Sequence, residues 1–562
     1  MAEYFSPGVY VEEFDSAGQP LSGVSTSVAG FLGVAERGPS EGLPLLVTNM
    51  NEFRKTFGSH LSDKQFGTYR YLAYAVEQYF VNGGSSAYIM RVVPADAAVA
   101  VSDDPLFAIE ARNPGAWGNQ IKVIIESASK AKTQVFEDLG GNKYRVKNSS
   151  GFNVGDVVNF SNGEAVTSAN VVQVLDDILE LDDALPEDPV DVGLLPVKVL
   201  STAEFTVNVA YGSESETFES CSFNAGAANY VDTVLTKSEL ISVTADSKAK
   251  LTKLFKKDAA PYIIVLAGGS DGSLSGLDAS SYMGEDNGPG KRTGIQAFVD
   301  NDQVSIMAVP GVTDPSVQLS LVAHCEGLGS RFAVLDIPRE KTKIQDVLTH
   351  RELFDSSYAA LYNPWLQVFD PLEKRNIFVP PSGSVAGVYA RSDSTRGVEK
   401  APANEVIRGV TGLDVQYNRG EQDVLNPKGV NLIRSFSGQG IRIWGARTTS
   451  SNALWKYINI RRLFIFVEES IKSGTNWVVF EPNDERLWAR VHRTIDAFLT
   501  RVWRGGALMG SSPSEAFYID ISRSTMTQDD IDNGRLVCII GIAPVKPAEF
   551  VVFRITQKTN EQ

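Results

Sequence analysis

Apolar residues fall three and four positions apart along YRYLAYAVEQYFVNGG. Leu72, Ala75, Val76, Tyr79 and Phe80 share one helix face, and Asn82-Gly83-Gly84 is a C-terminal stop. On either side the period changes. GVSTSVAGFLGVA, with small and β-branched residues alternating, predicts a buried strand before this helix, and SSAYIMRVV predicts another after it, a βαβ-like unit. α/β texture returns in PYIIVLAGGSDG, DQVSIMAVPG and LVAHCEGLGSRFAVLDIP, with a helix expected near 341–350. Between about 125 and 260 the pattern differs. KYRVKN, DVVNFS, ANVVQVL and EFTVNVAYG are short alternating segments separated by Gly, Asn and Asp turns, a β-rich insertion.

Further on, NALWKYINIRRLFIFVEESIK predicts a long helix capped at Ser450/Ser451–Asn452. DERLWARVHRTIDAFLTRVWRGG is the clearest amphipathic helix. Leu487, Trp488, Val491, Ile495, Phe498, Leu499, Val502 and Trp503 form its stripe, most arginines lie off it, and Gly505-Gly506 end it. A strand follows near LVCIIGIAPV.

Each end of the chain carries a strand pattern with no hairpin partner beside it. In VYVEEF, Val9, Val11 and Glu13 face one way and Tyr10, Glu12 and Phe14 the other; in EFVVFRI, Phe550, Val551, Val552, Phe553 and Ile555 are apolar. An unpaired strand exposes a row of N–H and C=O groups. It can pair within its own subunit or add to a neighbour's sheet. Backbone bonds net about 0.5–1.5 kcal/mol each, against an ordering cost of about 1–2 kcal/mol per residue. Burial of the aromatic and β-branched side chains must therefore supply the difference.

The 562 residues exceed what one core spans, so three or four domains are expected. No apolar run is long enough to predict a membrane span, and the acidic start (Glu3, Glu12, Glu13, Asp15) does not resemble a signal peptide. A net charge of −16 argues against nucleic acid as the main partner. The charge is uneven: 151–220 has fourteen acids and one base, whereas 440–512 has eleven Lys/Arg against six Asp/Glu. Either both are solvated surfaces or the two regions face different surroundings, the basic one an acidic partner.

Candidate chemistry is sparse. Cys221, Cys325 and Cys538 are odd in number and far apart, so neither a disulfide framework nor a CxxC metal site is predicted. Of His60, His324, His350 and His492, only His324 adjoins a cysteine, and no zinc site is expected. Gly268-Gly269-Ser270-Asp271-Gly272 matches GxSxG after an apolar strand, which raises a serine hydrolase with Ser270 as nucleophile and His324 as base. That motif needs a helix directly after the serine, and SLSGLDASS favours a loop. GEDNGPGKRTG fails as a phosphate loop: Glu285 stands where the first Gly is required, and Arg292 follows Lys291. Asp182-Asp183 lacks EF-hand spacing. No cofactor is expected.

SPGVYVEE, GVSTSVAGFLGVAERGP, YLAYAVEQYFVNGGSSAYIMRV, NPGAWGNQIKV, VSIMAVPG and RFAVLDIP together resemble the sheath proteins of contractile phage tails and related contractile injection systems. At the C-terminal end VLNPKGVNLIR, GIRIWGARTTS, WKYINIRRLFIFVEESI, STMTQDDIDNGRL and GIAPVKPAEFVVFRI carry the same resemblance. It covers roughly 1–125 and 260–562; the opening and closing motifs are closer to the injection systems than to phages.

The resemblance implies a structural protein and not an enzyme. Its subunits would stack as hexameric rings around an inner tube, bounded by baseplate and cap proteins, with sheath paralogues as further partners. The particle would assemble in the bacterial cytoplasm, then shorten and widen to drive the tube through a target envelope. Implied too is an α/β (α+β) multidomain subunit: an N-terminal arm (1–25), an α/β sheath domain in two parts (26–125 and 261–385), an acidic β-rich surface insertion (126–260), an inner C-terminal domain (386–546) and a C-terminal arm (547–562). The arms, through Val9, Tyr10, Val11, Phe14 and Phe550, Val551, Val552, Phe553, Ile555, would complete a neighbour's sheet. Arg486, Arg490, Arg493, Arg501 and Arg504 are the candidate tube-facing cations. A different reading makes 126–260 the binding module of a surface adhesin.

Overall fold

The computed structural model describes residues 21–102, 108–161, 166–185, 199–222, 224, 226–243 and 260–552. The N-terminal candidates Val9, Tyr10, Val11 and Phe14, and Phe553 and Ile555 at the other end, lie outside them.

A nine-stranded sheet organises the body. Its spatial order is Leu45–Val47, Ala87–Arg91, Ala29–Gly33, Ile306–Ala308, Phe332–Asp336, Ala359–Asn363, Val430–Phe436, Gly440–Ile443 and Glu405–Val406. Ala29–Gly33 runs parallel to both Ala87–Arg91 and Ile306–Ala308, and the parallel run continues to Val430. Antiparallel pairs close both edges. The strands Ala29–Gly33, Phe332–Asp336 and Ala359–Asn363 are buried along their whole length. They therefore read as continuous apolar runs, as strands covered on both faces do.

Successive residues feed opposite cores. Phe31 and Val334 pack with Tyr79 and Tyr389 on one face, while Leu32 and Leu335 pack with Met307 and Phe298 on the other. On the first face, helices Tyr71–Asn82 and Ser382–Arg396 lie in close contact. A Cβ at Gly383 or Gly387 would run into the backbone of Ala75 and Tyr79, so only glycine permits this approach.

The chain leaves the sheet after Arg91 and returns at Ile306. Between these points a four-stranded antiparallel sheet forms in the order Glu214–Cys221, Glu204–Tyr211, Lys122–Ala128, Tyr262–Val265. Its core joins Ala100, Trp117, Val123 and Ile125 to Phe205, Val207, Ile264 and Leu266. A boundary at 126 thus falls inside a strand, and residues 100–125 share a core with 203–266. Nested within this unit is a closed six-stranded barrel, formed from segments between Lys132 and Thr202 around Tyr144, Val146, Phe160, Leu179 and Leu200.

A boundary at 385/386 also meets a continuous element, the helix Ser382–Arg396. Strands Val430–Phe436 and Gly440–Ile443 belong to the body sheet, and the last structural layer begins only near 450. The predicted cap there is displaced as well. Asn452 accepts from the Leu454 N–H at 2.9 Å, but it caps a single 3₁₀ turn, Ala453–Trp455. The long helix starts at Ile458 behind Tyr457, which makes no side-chain cap bond.

Candidate assembly interface

Helices Ile458–Gly474 and Glu485–Arg504 build the C-terminal layer. Asp484 caps the second, accepting from the Leu487 N–H at 2.8 Å. Leu487, Trp488, Val491, Ile495, Phe498 and Leu499 are buried against Leu463, Val467, Leu508 and Phe517. The predicted stripe and the observed core face coincide, except that Val502 and Trp503 are only partly buried.

Against this layer stands a two-stranded antiparallel sheet, Phe517–Asp520 with Ile539–Ile542, in register Phe517↔Ile542 and Asp520↔Ile539. Among the described residues no third strand pairs with it. Two strands alone are marginal in water. Tyr518 is 60% exposed and Ile539 46%, so this short sheet offers open edges and apolar side chains together.

Both ends of the described chain are anchored. On the N-terminal side Leu21 is buried beside Leu463, Val467 and Phe498, and its carbonyl accepts from Arg501 Nη2. A Cβ at Gly474 would overlap Leu21 Cγ, so glycine makes room for it. The chain then crosses the Ile458–Gly474 helix: Val24 N donates to Ser470 Oγ at 3.1 Å, and Arg462 Nη2 donates to the Thr26 carbonyl at 2.8 Å.

On the C-terminal side, Ala543 and Val545 bond back to Ala516 and Ala507, and Glu549 then enters a cluster of donors. Arg447 Nε and Nη2 donate to its two oxygens at 2.7 Å each, Asn426 Nδ2 donates at 2.7 Å and the Tyr457 hydroxyl at 2.9 Å. Burial pushes the Glu549 carboxyl up, but these bonds outweigh it and hold it down at about 2. Immediately beyond, Phe550, Val551 and Val552 are 73%, 69% and 78% exposed. Sequence patterning did not reveal Glu549, because its partners lie up to 123 residues away.

The five candidate arginines share one helix but not one state. Arg486, Arg493, Arg501 and Arg504 are exposed, and Arg490 is half-buried. Arg490 donates to Glu481 at 3.0 Å and stacks 4.2 Å from the Trp477 ring centre. Arg501 holds Leu21.

The alternative chemistry does not assemble. Ser270 is bridged to Ala98, its Oγ accepts from the Gly272 N–H at 3.1 Å, and the chain continues as loop to a 3₁₀ turn at Leu274–Gly276. A nucleophile elbow would require a helix there. His324 faces Arg331 instead, 3.3 Å away, and burial pushes its pKa down to about 4. Cys221 and Cys325 are buried free thiols. Among the described residues no group of three His, Cys, Asp or Glu could hold a metal ion, and no helix is long and apolar enough to cross a membrane.

Comparison with known proteins agrees with this geometry. Residues 286–449 match the phage tail sheath protein central domain, and residues 450–558 match the phage tail sheath C-terminal domain. The junction falls where the body sheet ends and the C-terminal layer begins. The chain is 26% identical over 310 residues to a prophage major tail sheath protein of Pseudomonas aeruginosa (strain UCBPP-PA14), covering 53% of this chain and 77% of that one. It is 25% identical over 293 residues to the tail sheath protein of Escherichia phage P2, covering 50% and 71%. A third relative, the tail sheath protein of Vibrio phage KVP40, is 27% identical over 210 residues, and the chain spans only 30% of its length.

Among solved structures, the sheath complex of the extracellular contractile injection system PVC, in its contracted state, shares the fold over 99% of both chains, with TM-score 0.53 and 21% identity. A sheath tail protein from Listeria innocua gives TM-score 0.55 at 11% identity, over 94% of this chain and 97% of that one. The chain belongs to the contractile tail sheath family: it is a structural subunit of a phage-tail-like particle.

Proposed function

We propose that this subunit polymerises as stacked hexameric rings around an inner tube and contracts to drive that tube through a target envelope. Each subunit's arms add strands to the C-terminal sheet of an adjacent subunit. The observation that carries this reading is the two-stranded sheet Phe517–Asp520/Ile539–Ile542, unextended among the described residues, in a chain whose last described residues are exposed and apolar. Strand addition would satisfy the edge groups and bury Phe550, Val551 and Val552 together. The arms keep subunits connected while their bodies rotate, so the two states differ in body-to-body contacts.

The basic face of the Glu485–Arg504 helix is the proposed tube contact, through Arg486 and Arg504, with Arg490, Arg493 and Arg501 shared between this role and their intramolecular partners. Exposed pairs are individually weak and salt-sensitive, which suits a contact that must release on contraction. Baseplate and cap proteins would bound the array, and assembly would take place in the bacterial cytoplasm. An injection system rather than a phage is the favoured setting, on the opening and closing motifs of the chain.

Negative-stain electron microscopy of the purified chain, alone and co-expressed with its tube protein, tests the proposal. Regular hollow tubes from the full chain, lost when 1–14 or 549–562 is removed, are expected. Tubes that persist in both truncations would assign the arms to their own subunits, and monomers under every condition would reject the sheath role.

A further inference from the structure

Residues 543–549 form a strap that leaves the C-terminal layer and ends on the body. Its first part is bonded to the layer: Met509 N–H donates to the Ala543 carbonyl at 2.8 Å, Leu508 bridges Pro544, and Val545 N–H donates to the Ala507 carbonyl at 3.1 Å. Glu549 is bonded elsewhere, to Arg447, Asn426 and Tyr457. Among the described residues no backbone bond links the strap to the protein between Val545 and Glu549. Glu549 is thus the last fixed point before the exposed Phe550–Val552.

Arg447 in turn is held by the body sheet. Its N–H donates to Asn431 Oδ1 at 2.7 Å, and Asn431 Nδ2 donates to the carbonyls of Arg447, at 2.8 Å, and Leu361, at 3.2 Å. Asn431 is fully buried in strand Val430–Phe436, and Leu361 belongs to the adjacent strand. The connection runs from two central strands through Asn431 and Arg447 to Glu549.

We infer that Glu549 is the positioning residue of the C-terminal arm: it sets where the arm leaves the subunit and passes tension on the arm to the nine-stranded sheet instead of to the two-stranded one. The inference rests on the proposed pairing of the arm with a neighbour. Without Glu549 the last anchor is Val545. Four further residues then become slack, about 13 Å of extended chain. Neighbouring strands lie only about 4.8 Å apart. That slack is enough to lose both strand position and register. The bidentate Arg447 contact suits the role, because two parallel charge-assisted bonds fix direction as well as distance.

The test compares the full chain with E549A, E549Q and a chain in which Gly-Ser-Gly-Ser follows an intact Glu549. All three variants are expected to keep the wild-type circular dichroism spectrum; the insertion chain should also keep the melting temperature, whereas E549A and E549Q should melt lower because Arg447 loses its carboxylate. Hydrogen exchange at the bonded Ala543 and Val545 amides, the last ones before the clamp, should quicken several-fold in the isolated E549A chain, with a smaller change in E549Q and none in the insertion chain. Under conditions where the wild type forms tubes, E549A and the insertion chain should both give particles several-fold shorter than wild type.

Unchanged exchange in E549A, or wild-type particle length in both E549A and the insertion chain, overturns the inference. If E549A does not fold, the insertion chain, whose clamp is intact, still decides it. If the wild type forms no particle with or without tube protein, the sheath reading has failed, and exchange reports on the clamp separately.

Discussion

Arg462, in the first turns of the Ile458–Gly474 helix, places two hydrogen bonds, at 2.9 and 2.6 Å, on the carboxylate of Asp393 in the Ser382–Arg396 helix. The two side chains are only 3% and 7% exposed. Thr26 Oγ1 donates to the same carboxylate at 2.5 Å, so one buried pair joins the C-terminal layer, the body and the segment that follows Leu21. The Arg462 guanidinium also lies 4.7 Å from the Tyr389 ring centre.

Removing one partner strands the other. Arg462→Met leaves the Asp393 carboxylate buried without its cation, a loss of about 3–5 kcal/mol. Urea denaturation followed by circular dichroism should show the midpoint falling accordingly. An unchanged midpoint would mean that Asp393 is solvated or protonated in the variant at little cost.

Two buried groups on either side of Gln318 oppose each other in acid. Gln318 Nε2 donates to the Asp336 carbonyl at 2.7 Å, so its Oε1 faces His350 Nε2 at 2.9 Å, and His350 is the neutral Nε2–H tautomer. Burial, helped by Lys341, pushes His350 from 6.5 down to about 4. Between those values the unfolded chain takes up a proton that the fold does not, so this group's stabilisation is lost as pH falls. Asp336 behaves oppositely. Burial raises it from 3.8 to about 6 against donors from Gly311 and Ser382, so its contribution falls as pH rises through that window. His350→Gln should therefore make stability decline more steeply from pH 4 to 6, and Asp336→Asn more steeply from pH 6.5 to 4. Urea midpoints at four pH values separate the two; parallel profiles would sink the assignment.

The barrel is mounted on a charged neck. Lys130 Nζ lies 2.8 Å from Asp156 and 3.4 Å from Glu204, whose side chains are 1% and 2% exposed. Its backbone N–H also donates to Glu204 at 2.8 Å. Lys130→Met leaves two buried carboxylates unneutralised and should loosen the barrel before the body. Limited proteolysis is expected to cut between 129 and 203 while the body stays intact; cleavage at the wild-type rate would show that the neck is held by packing alone.

Charge reversal on the helix face separates the arginines. Arg486→Glu with Arg504→Glu touches two exposed side chains and should leave the melting temperature within about 0.5 kcal/mol equivalent of wild type. Tube-templated assembly should fail in the same variant. Reversal of Arg490 should cost stability as well, through Glu481 and Trp477. Normal assembly by the double variant would remove this face from the tube contact.

Local pattern carried much of this fold. The helix Tyr71–Asn82, its C-terminal Gly83 at φ 116° and the two flanking parallel strands follow from periodicity and one left-handed stop. So does the stripe of Glu485–Arg504. What stayed hidden was pairing at a distance. Short alternating segments between 132 and 202 specify strands but not barrel closure, because each has an apolar face that several partners would accept. The Ser450–Asn452 signal was real, yet a 3₁₀ turn used it. Of the candidate interface, the apolar run Phe550–Val552 and the arginines lying off the apolar stripe were legible as pattern. Glu549 and Leu21 were not, since one is a lone acid before a strand and the other a lone leucine in an arm, and folding alone supplies their partners.

Ala128 and Glu204 stand opposite each other in the antiparallel ladder between Lys122–Ala128 and Glu204–Tyr211. The polypeptide departs at one and re-enters at the other, about 5 Å away. Residues 129–203 are a detour between these two points, and because Lys130 neutralises the buried Glu204, a tight turn can replace them and leave an ordinary hairpin once Glu204 is also made uncharged. The subunit therefore has a graft port: a foreign domain whose own ends meet at that spacing can be spliced in without displacing the two-stranded sheet, the anchored ends of the described chain or the basic helix.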